Sequence, residues 1–152
     1  MAPPILSVSL PEVSIRPASS ADAEALADLI AELDYPTAPA LIQTRLEELT
    51  AAGDQLLVAE YQAQVIGMIH LHRMHFLHRA PDGRVVTLGV LAAYRNQQIG
   101  AKLLAAAEHQ FQHEGCGRVE VTSGFPREAA HRFYQRAGYE PQSRRFVNVL
   151  PR

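Results

Sequence analysis

The chain has 152 residues, about one domain's worth, of which 47% are hydrophobic and 20% charged, a balance that excludes disordered, fibrous and collagen-like classes. Fourteen Lys plus Arg against 16 Asp plus Glu leave a formal charge of −2, so no overall field gathers phosphates or anionic lipid, and neither nucleic acid nor membrane is expected as a partner. No apolar run approaches the ~18 residues needed to cross a bilayer, and Met1 to Leu10 lacks the basic start of a secretory signal, which points to a cytoplasmic protein.

Residues 1–12, with Pro3, Pro4 and Pro11, read as an extended arm, because proline gives up ladder hydrogen bonds; residues 13–152 read as a single domain. Val13 to Arg16 alternates as a short strand. Ser20 suits an N-cap with Asp22 in the first turn, and Leu26, Leu29, Ile30 and Leu33 recur at helical spacing, so Ala21 to Asp34 is predicted as an amphipathic helix. Pro36 and Pro39 interrupt it. A second helix, about Pro39 to Ala52, places Ile42, Leu46 and Leu49 on one face and stops at Gly53. Gln55 to Tyr61 and Gln64 to His72 are β-rich and split by Gln62-Ala63, a tight hairpin turn. Pro81-Asp82-Gly83 signals a turn before a third such strand, Arg84 to Leu91.

Leu103, Leu104, Ala107 and Phe111 mark a helix from Gln98 to Glu114, closed by Gly115, and Arg118 to Thr122 alternates as a strand. Pro126 suits the first turn of a fourth helix whose Ala130, Phe133, Tyr134 and Ala137 share a face, with Gly138 just past its end. Tyr139 to Val149 reads as one or two terminal strands. The order β, α, α, β, β, β, α, β, α, β implies an α/β chain with a mixed sheet flanked by four helices.

One stretch carries chemistry. From Val90 through Tyr94-Arg95-Asn96-Gln97-Gln98-Ile99-Gly100-Ala101 a strand ends, a polar turn follows and a helix begins. A helix start offers unpaired backbone N–H groups and a positive dipole end, which suit a phosphate, and Gly100 allows close approach to the backbone. Downstream stands Ala129-Ala130-His131-Arg132-Phe133-Tyr134-Gln135-Arg136-Ala137-Gly138-Tyr139.

In this order the two segments resemble the GNAT acetyltransferase superfamily, whose cofactor loop reads (Q/R)-x-x-G-x-(G/A) and whose later helix reads A-x-x-F-Y-x-x-x-G-(F/Y). The resemblance spans roughly Val13 to Val149. It implies a mostly antiparallel sheet of six to seven strands, acetyl-coenzyme A (acetyl-CoA) bound between two splayed parallel strands, here Arg84 to Leu91 and Arg118 to Thr122, and a homodimer. It further implies that the pyrophosphate sits on the amides of Arg95, Asn96, Gln97, Gln98, Ile99, Gly100 and Ala101, while Leu88, Gly89 and Val90 pair with the pantetheine arm. Gln98 stands where the family has its first loop glycine. If that position needs a left-handed backbone, a non-glycine costs roughly 1–2 kcal/mol.

Direct acyl transfer needs a deprotonated amine, a polarised thioester carbonyl and a proton donor for the departing thiolate. By the resemblance Tyr134 is that donor; a phenol, with a reference pKa near ~10, is protonated at neutral pH. By its helix face alone it reads as a packed core ring. Many family members carry a glutamate on the strand before the loop, but nothing between Gly83 and Arg95 is acidic. His70 and His72, two apart and so on one side of a strand, are candidates for the base, with Glu120 on the adjacent strand as another base or water relay; the two histidines also suit plain structural roles. Adding His75 and His78 gives a metal-like cluster, but those two fall where the strand ends, so no metal is expected. Cys116, between Gly115 and Gly117, has no base nearby in sequence and reads as structural. Arg127, His131, Arg132, Arg136, Arg144 and Arg145 make a modest basic concentration that suits phosphates or a solvated face.

The expected acceptor is a small primary amine; the stretch from Gly67 to His72 and on through Leu77-His78, with Ala130 to Tyr134, is similar to small-amine members such as aminoalkylphosphonate N-acetyltransferases. Acceptor choice in the superfamily comes from the first two helices and their connection, here Leu33 to Leu41, together with the strands near His70 and the C-terminal hairpin. A protein N-terminus or lysine is the second acceptor class. A non-catalytic acyl-CoA sensor is the competing reading, and a nucleotide module is disfavoured because no phosphate-loop or dinucleotide glycine motif is present.

Overall fold

Five strands pair in the order in which they occur along the chain, in a computed structural model that describes residues 12–122, 128–142 and 145–151. β1 (Ser14–Pro17), β2 (Gln55–Tyr61), β3 (Gln64–Met74) and β4 (Asp82–Val90) are successively antiparallel, and β5 (Arg118–Val121) lies parallel to β4. A parallel neighbour requires a crossover, supplied by helix α3 (Ile99–His113). Helices α1 (Ala23–Glu32) and α2 (Pro39–Ala51) fill the connection from β1 to β2. The chain divides into two compact units, Met1–Thr122 and Ser123–Arg152, the second containing α4 (Glu128–Arg136).

The apolar periodicities explain the layers of the first unit. Leu26 and Leu29 of α1 and Ile42 of α2 are buried against Val58 and Met68 on one sheet face. Gly67, one residue away in β3, faces Leu103 and Ile99 of α3, so α3 covers the opposite face. Gly83 lies directly beneath the buried ring of Phe111, where a side chain has no room. The β2–β3 turn has positive φ at both Gln62 and Ala63, the backbone of a type I′ turn, which matches the twist of the strands it joins.

The structure departs from the sequence expectations at several ends. A 3-10 turn, Ser20–Asp22, precedes α1, and the N-cap is Ser19 rather than Ser20. The reason is Asp22, whose carboxylate accepts the Ser19 N–H at 2.8 Å and both terminal nitrogens of Arg16 at 2.9 Å. The Arg16 guanidinium holds this carboxyl below the usual range, against an opposing push from burial. Asp82 and Gly83 are not a turn but the first residues of β4. Asp82 is 1% exposed and enters the interior because Arg79 (3.0 Å) and Arg118 (3.2 Å) meet its charge from both sides. Residues 139–142 and 145–149 carry no strand, so five strands stand where six or seven were expected among the described residues. Alternation gives that segment β character, but a strand exists only against a hydrogen-bonding partner. The arm through residue 11, and Pro126, lie outside the described residues.

Candidate active site

The turn after β4 is tied down from several sides. Leu91 N–H bonds the Ile66 carbonyl at 2.9 Å, extending the β3 edge by one residue, and a 3-10 turn, Ala92–Tyr94, follows. Ala92 N–H donates to the Glu32 carboxylate at the end of α1 (2.8 Å), and the Tyr94 hydroxyl donates to Gln64 Oε1 (3.3 Å). Arg95 Nε reaches back to the Val90 carbonyl at 3.2 Å. Asn96 and Gln98 both take positive φ, and Gln98 (φ 64°, ψ 18°), in the place of the family's first loop glycine, is the N-cap of α3 in the left-handed conformation. The first helical bond runs from Lys102 N–H to the Gln98 carbonyl at 3.0 Å, so the N–H groups of Ile99, Gly100 and Ala101 have no helical acceptor.

Beside this helix start the sheet opens. β4 and β5 are in register only from Asp82↔Arg118 to Val85↔Val121, whereas β4 continues to Val90. Leu88, Gly89 and Val90 pair with Ile69, Met68 and Gly67 of β3, and their other edge has no strand partner among the described residues. That edge presents unpaired backbone groups of the kind that bond an extended ligand.

On the face covered by α1 and α2, His70 and His72 turn to one acceptor that the sequence reading missed. His70 Nε2 lies 2.8 Å from Asp54 Oδ2, and His72 Nδ1 lies 2.7 Å from Asp54 Oδ1. A carboxylate only accepts, so each ring donates at the bonded nitrogen; His70 keeps Nδ1 as its basic atom and His72 keeps Nε2. Burial pushes the Asp54 carboxyl up, but the hydrogen bonds from His72 and His70 outweigh it and leave it below the usual carboxylate range. Gly53, at φ +92°, ends α2 and turns the chain so that Asp54 N–H bonds the Leu49 carbonyl, setting Asp54 at the mouth of β2. The β2–β3 pairing then shifts by one residue between Ala59 and Glu60 and places Gln55 opposite Leu71, which puts Asp54 level with His72. Hairpin register counted back from Gln62-Ala63 was the available signal, but without the bulge it assigns Asp54 to the wrong face.

His70, with its side chain 18% exposed, lines an open cavity of about 590 Å³ between α1, α2 and the sheet. Glu120 is directed elsewhere, in an ion pair with Arg84 across the β4–β5 register (3.2 Å), and its side chain is 40% exposed. His75 and His78 are exposed in the following loop, His78 lying edge-on to Phe76 (5.7 Å), and no group of three metal-ligating side chains occurs among the described residues. The Cys116 thiol is pushed up by burial and by Glu114, which disfavours a nucleophilic thiolate. In the second unit Tyr134 is half-buried on α4, its ring edge-on to Phe133 (5.2 Å) and Tyr139 (6.0 Å). Arg132, Arg136 and Arg145 are exposed, whereas Arg127 and Arg144 lie outside the described residues.

An aminoalkylphosphonate N-acetyltransferase of Salmonella typhimurium is 33% identical over 147 residues, covering 93% of this chain and 94% of its own. A GNAT family acetyltransferase of Staphylococcus aureus superposes with a TM-score of 0.78 at 24% identity over 91% of this chain and 98% of its own. An aminoglycoside N-acetyltransferase in complex with CoA superposes with a TM-score of 0.81 at 17% identity over 93% and 98%. The Acetyltransferase (GNAT) family model matches residues 23–139, and with the open β4 edge beside the α3 amides in place, the chain belongs to that family of acyltransferases.

Proposed function

We propose that the protein moves the acetyl group of acetyl-CoA directly to the primary amine of a small molecule. The observation that carries this reading is the meeting, at one end of the sheet, of the open backbone edge at Leu88, Gly89 and Val90 with the free amides of Ile99, Gly100 and Ala101. The amides and the dipole end of α3, with the turn from Arg95 to Gln98, take the pyrophosphate, and the strand edge bonds the pantetheine amides. The names of the Salmonella relative and of the CoA-bound aminoglycoside enzyme support the donor and a small-molecule acceptor.

In the proposed mechanism the neutral amine attacks the thioester carbonyl, a C–N bond forms as the C–S bond breaks, His70 accepts the amine proton at Nδ1, and Tyr134 protonates the departing thiolate. Asp54 orients His70, and this pairing favours His70 over the Arg84-bound Glu120 as the base. A cytoplasmic homodimer completes the proposal; Phe146, Val147, Val149 and Leu150 are exposed apolar side chains near the C-terminus that suit an interface, and no helix among the described residues is long and apolar enough to cross a membrane.

The sensor reading is favoured by the strained Gln98 and by the non-acidic stretch of β4 before the loop. Calorimetry with acetyl-CoA and thiol release with a panel of amines decide between them. Binding with amine-dependent release is the expected result. Binding without release supports the sensor, and no binding to folded protein overturns both.

A further inference from the structure

We infer that the cavity beside His70 takes an amine carried on an apolar body, a linear alkyl chain or single ring, with the amine at the His70 end. The inference rests on the acetyltransferase reading for its reactive end and goes beyond it in naming the acceptor's class. The cavity, about 590 Å³, is of the size that encloses a small organic molecule. Its walls are mostly aliphatic: Ile30 of α1, Leu33 just past the end of that helix, and Leu46 and Leu49 of α2 line it together with Met68 of β3.

Side chains with polar groups are the minority of the lining, and Tyr35, 60% exposed, adds a ring with its hydroxyl. His70 and Thr87, opposite each other in the β3–β4 register, form one end. Arg45 and Glu48, exposed and one turn apart on α2, line the cavity too, and their opposite charges leave that side without a net field. Thr37 also lines the cavity, but its hydroxyl already donates to the Tyr35 carbonyl at 2.8 Å. An acceptor bearing a phosphonate or carboxylate would surrender hydration along these apolar walls for one exposed cation, Arg45, with the opposite charge of Glu48 one turn away, whereas a hydrocarbon body gains from every aliphatic wall. The class therefore differs from the aminoalkylphosphonate in the name of the Salmonella relative.

The test is thiol release from acetyl-CoA with ethylamine, butylamine, hexylamine, octylamine and benzylamine, set against 2-aminoethylphosphonate. The expected result is a kcat/KM that rises roughly fourfold per added methylene until the cavity fills, with the phosphonate at the bottom of the series. A flat series, or the phosphonate as best acceptor, overturns the inference. Leu49→Gln at the half-buried rim flattens the series, and Ile30→Gln does the same should the first variant fold poorly. Calorimetry with hexyltrimethylammonium, which has no N–H to acetylate, separates the two readings. If it binds while no amine is acetylated, the cavity assignment stands and the acetyltransferase reading falls; if amines are acetylated but it does not bind, the cavity assignment falls alone.

Discussion

Replacing Asp54 by Asn tests the arrangement around His70. Asp54 accepts from both rings, at 2.8 and 2.7 Å, and its lowered carboxyl keeps it ionised at neutral pH. Asparagine has the same shape, but one of its two ends is an NH₂ donor, so it cannot accept from both histidines. With the NH₂ toward His70, Nε2 must become the acceptor and the proton moves to Nδ1, removing the lone pair the amine needs. With the oxygen toward His70 the useful tautomer survives and the mismatch falls on His72. A wrong tautomer in a fully buried triad costs about 10⁴-fold, which bounds the effect from above. Because the second orientation is open to the substituted amide, and the His72 side chain is 40% exposed and can bond water instead, we expect a loss of roughly 10–100-fold in kcat, in the range of residues that orient a functional histidine. Exchanging two charge-assisted hydrogen bonds for neutral ones also costs about 1–2 kcal/mol of stability after allowance for that exposure. Thiol release with a butylamine acceptor measures the first effect and a thermal melt the second, with the KM for acetyl-CoA expected to hold. A folded Asp54→Asn protein that turns over like the native enzyme refutes the orienting role of Asp54.

Tyr134→Phe is expected to lower turnover by about 10²–10⁴-fold with acetyl-CoA affinity nearly intact, checked by pairing steady-state rates with calorimetry; unchanged turnover removes the acid assignment. Gln98→Gly relieves about 1–2 kcal/mol of left-handed strain and returns roughly 0.5–1 kcal/mol as extra chain entropy. The melting temperature should therefore hold or rise slightly while acetyl-CoA binds no less tightly, and a melt lowered by several degrees contradicts the strain. Gly83→Ala forces a methyl group into the Phe111 ring and is expected to destabilise by about 1–3 kcal/mol, read from denaturant melts. Asp22, held below its ordinary value chiefly by Arg16, contributes stability that is present above the unfolded value of about 4 and is lost as pH falls through the lower folded value. Asp22→Asn should flatten that acid limb in pH-dependent melts, and an unchanged limb refutes the assignment.

Local periodicity made most of the elements legible. The two-residue period of a strand put His70 and His72 on one side, and both reach the same carboxylate. The stops at Gly53, Gly115 and Gly138 each fall at a positive φ, as chain reversal at a helix end demands. The loop motif marked Gln98 as a residue in a glycine's place, and its backbone is left-handed. These features depend on residues within a turn or two of one another, so sequence by itself determined them. Asp54, the burial of Asp82 between two arginines, and the early end of the β4–β5 pairing depend on partners brought together by register. A single extra residue in β3, Ile66, standing between the partners of Glu60 and Ala59, moves Asp54 onto the histidine face, and neither spacing nor propensity announces such a bulge, because its cost and its reward are both settled by the strand lying alongside; only the tertiary structure decided them.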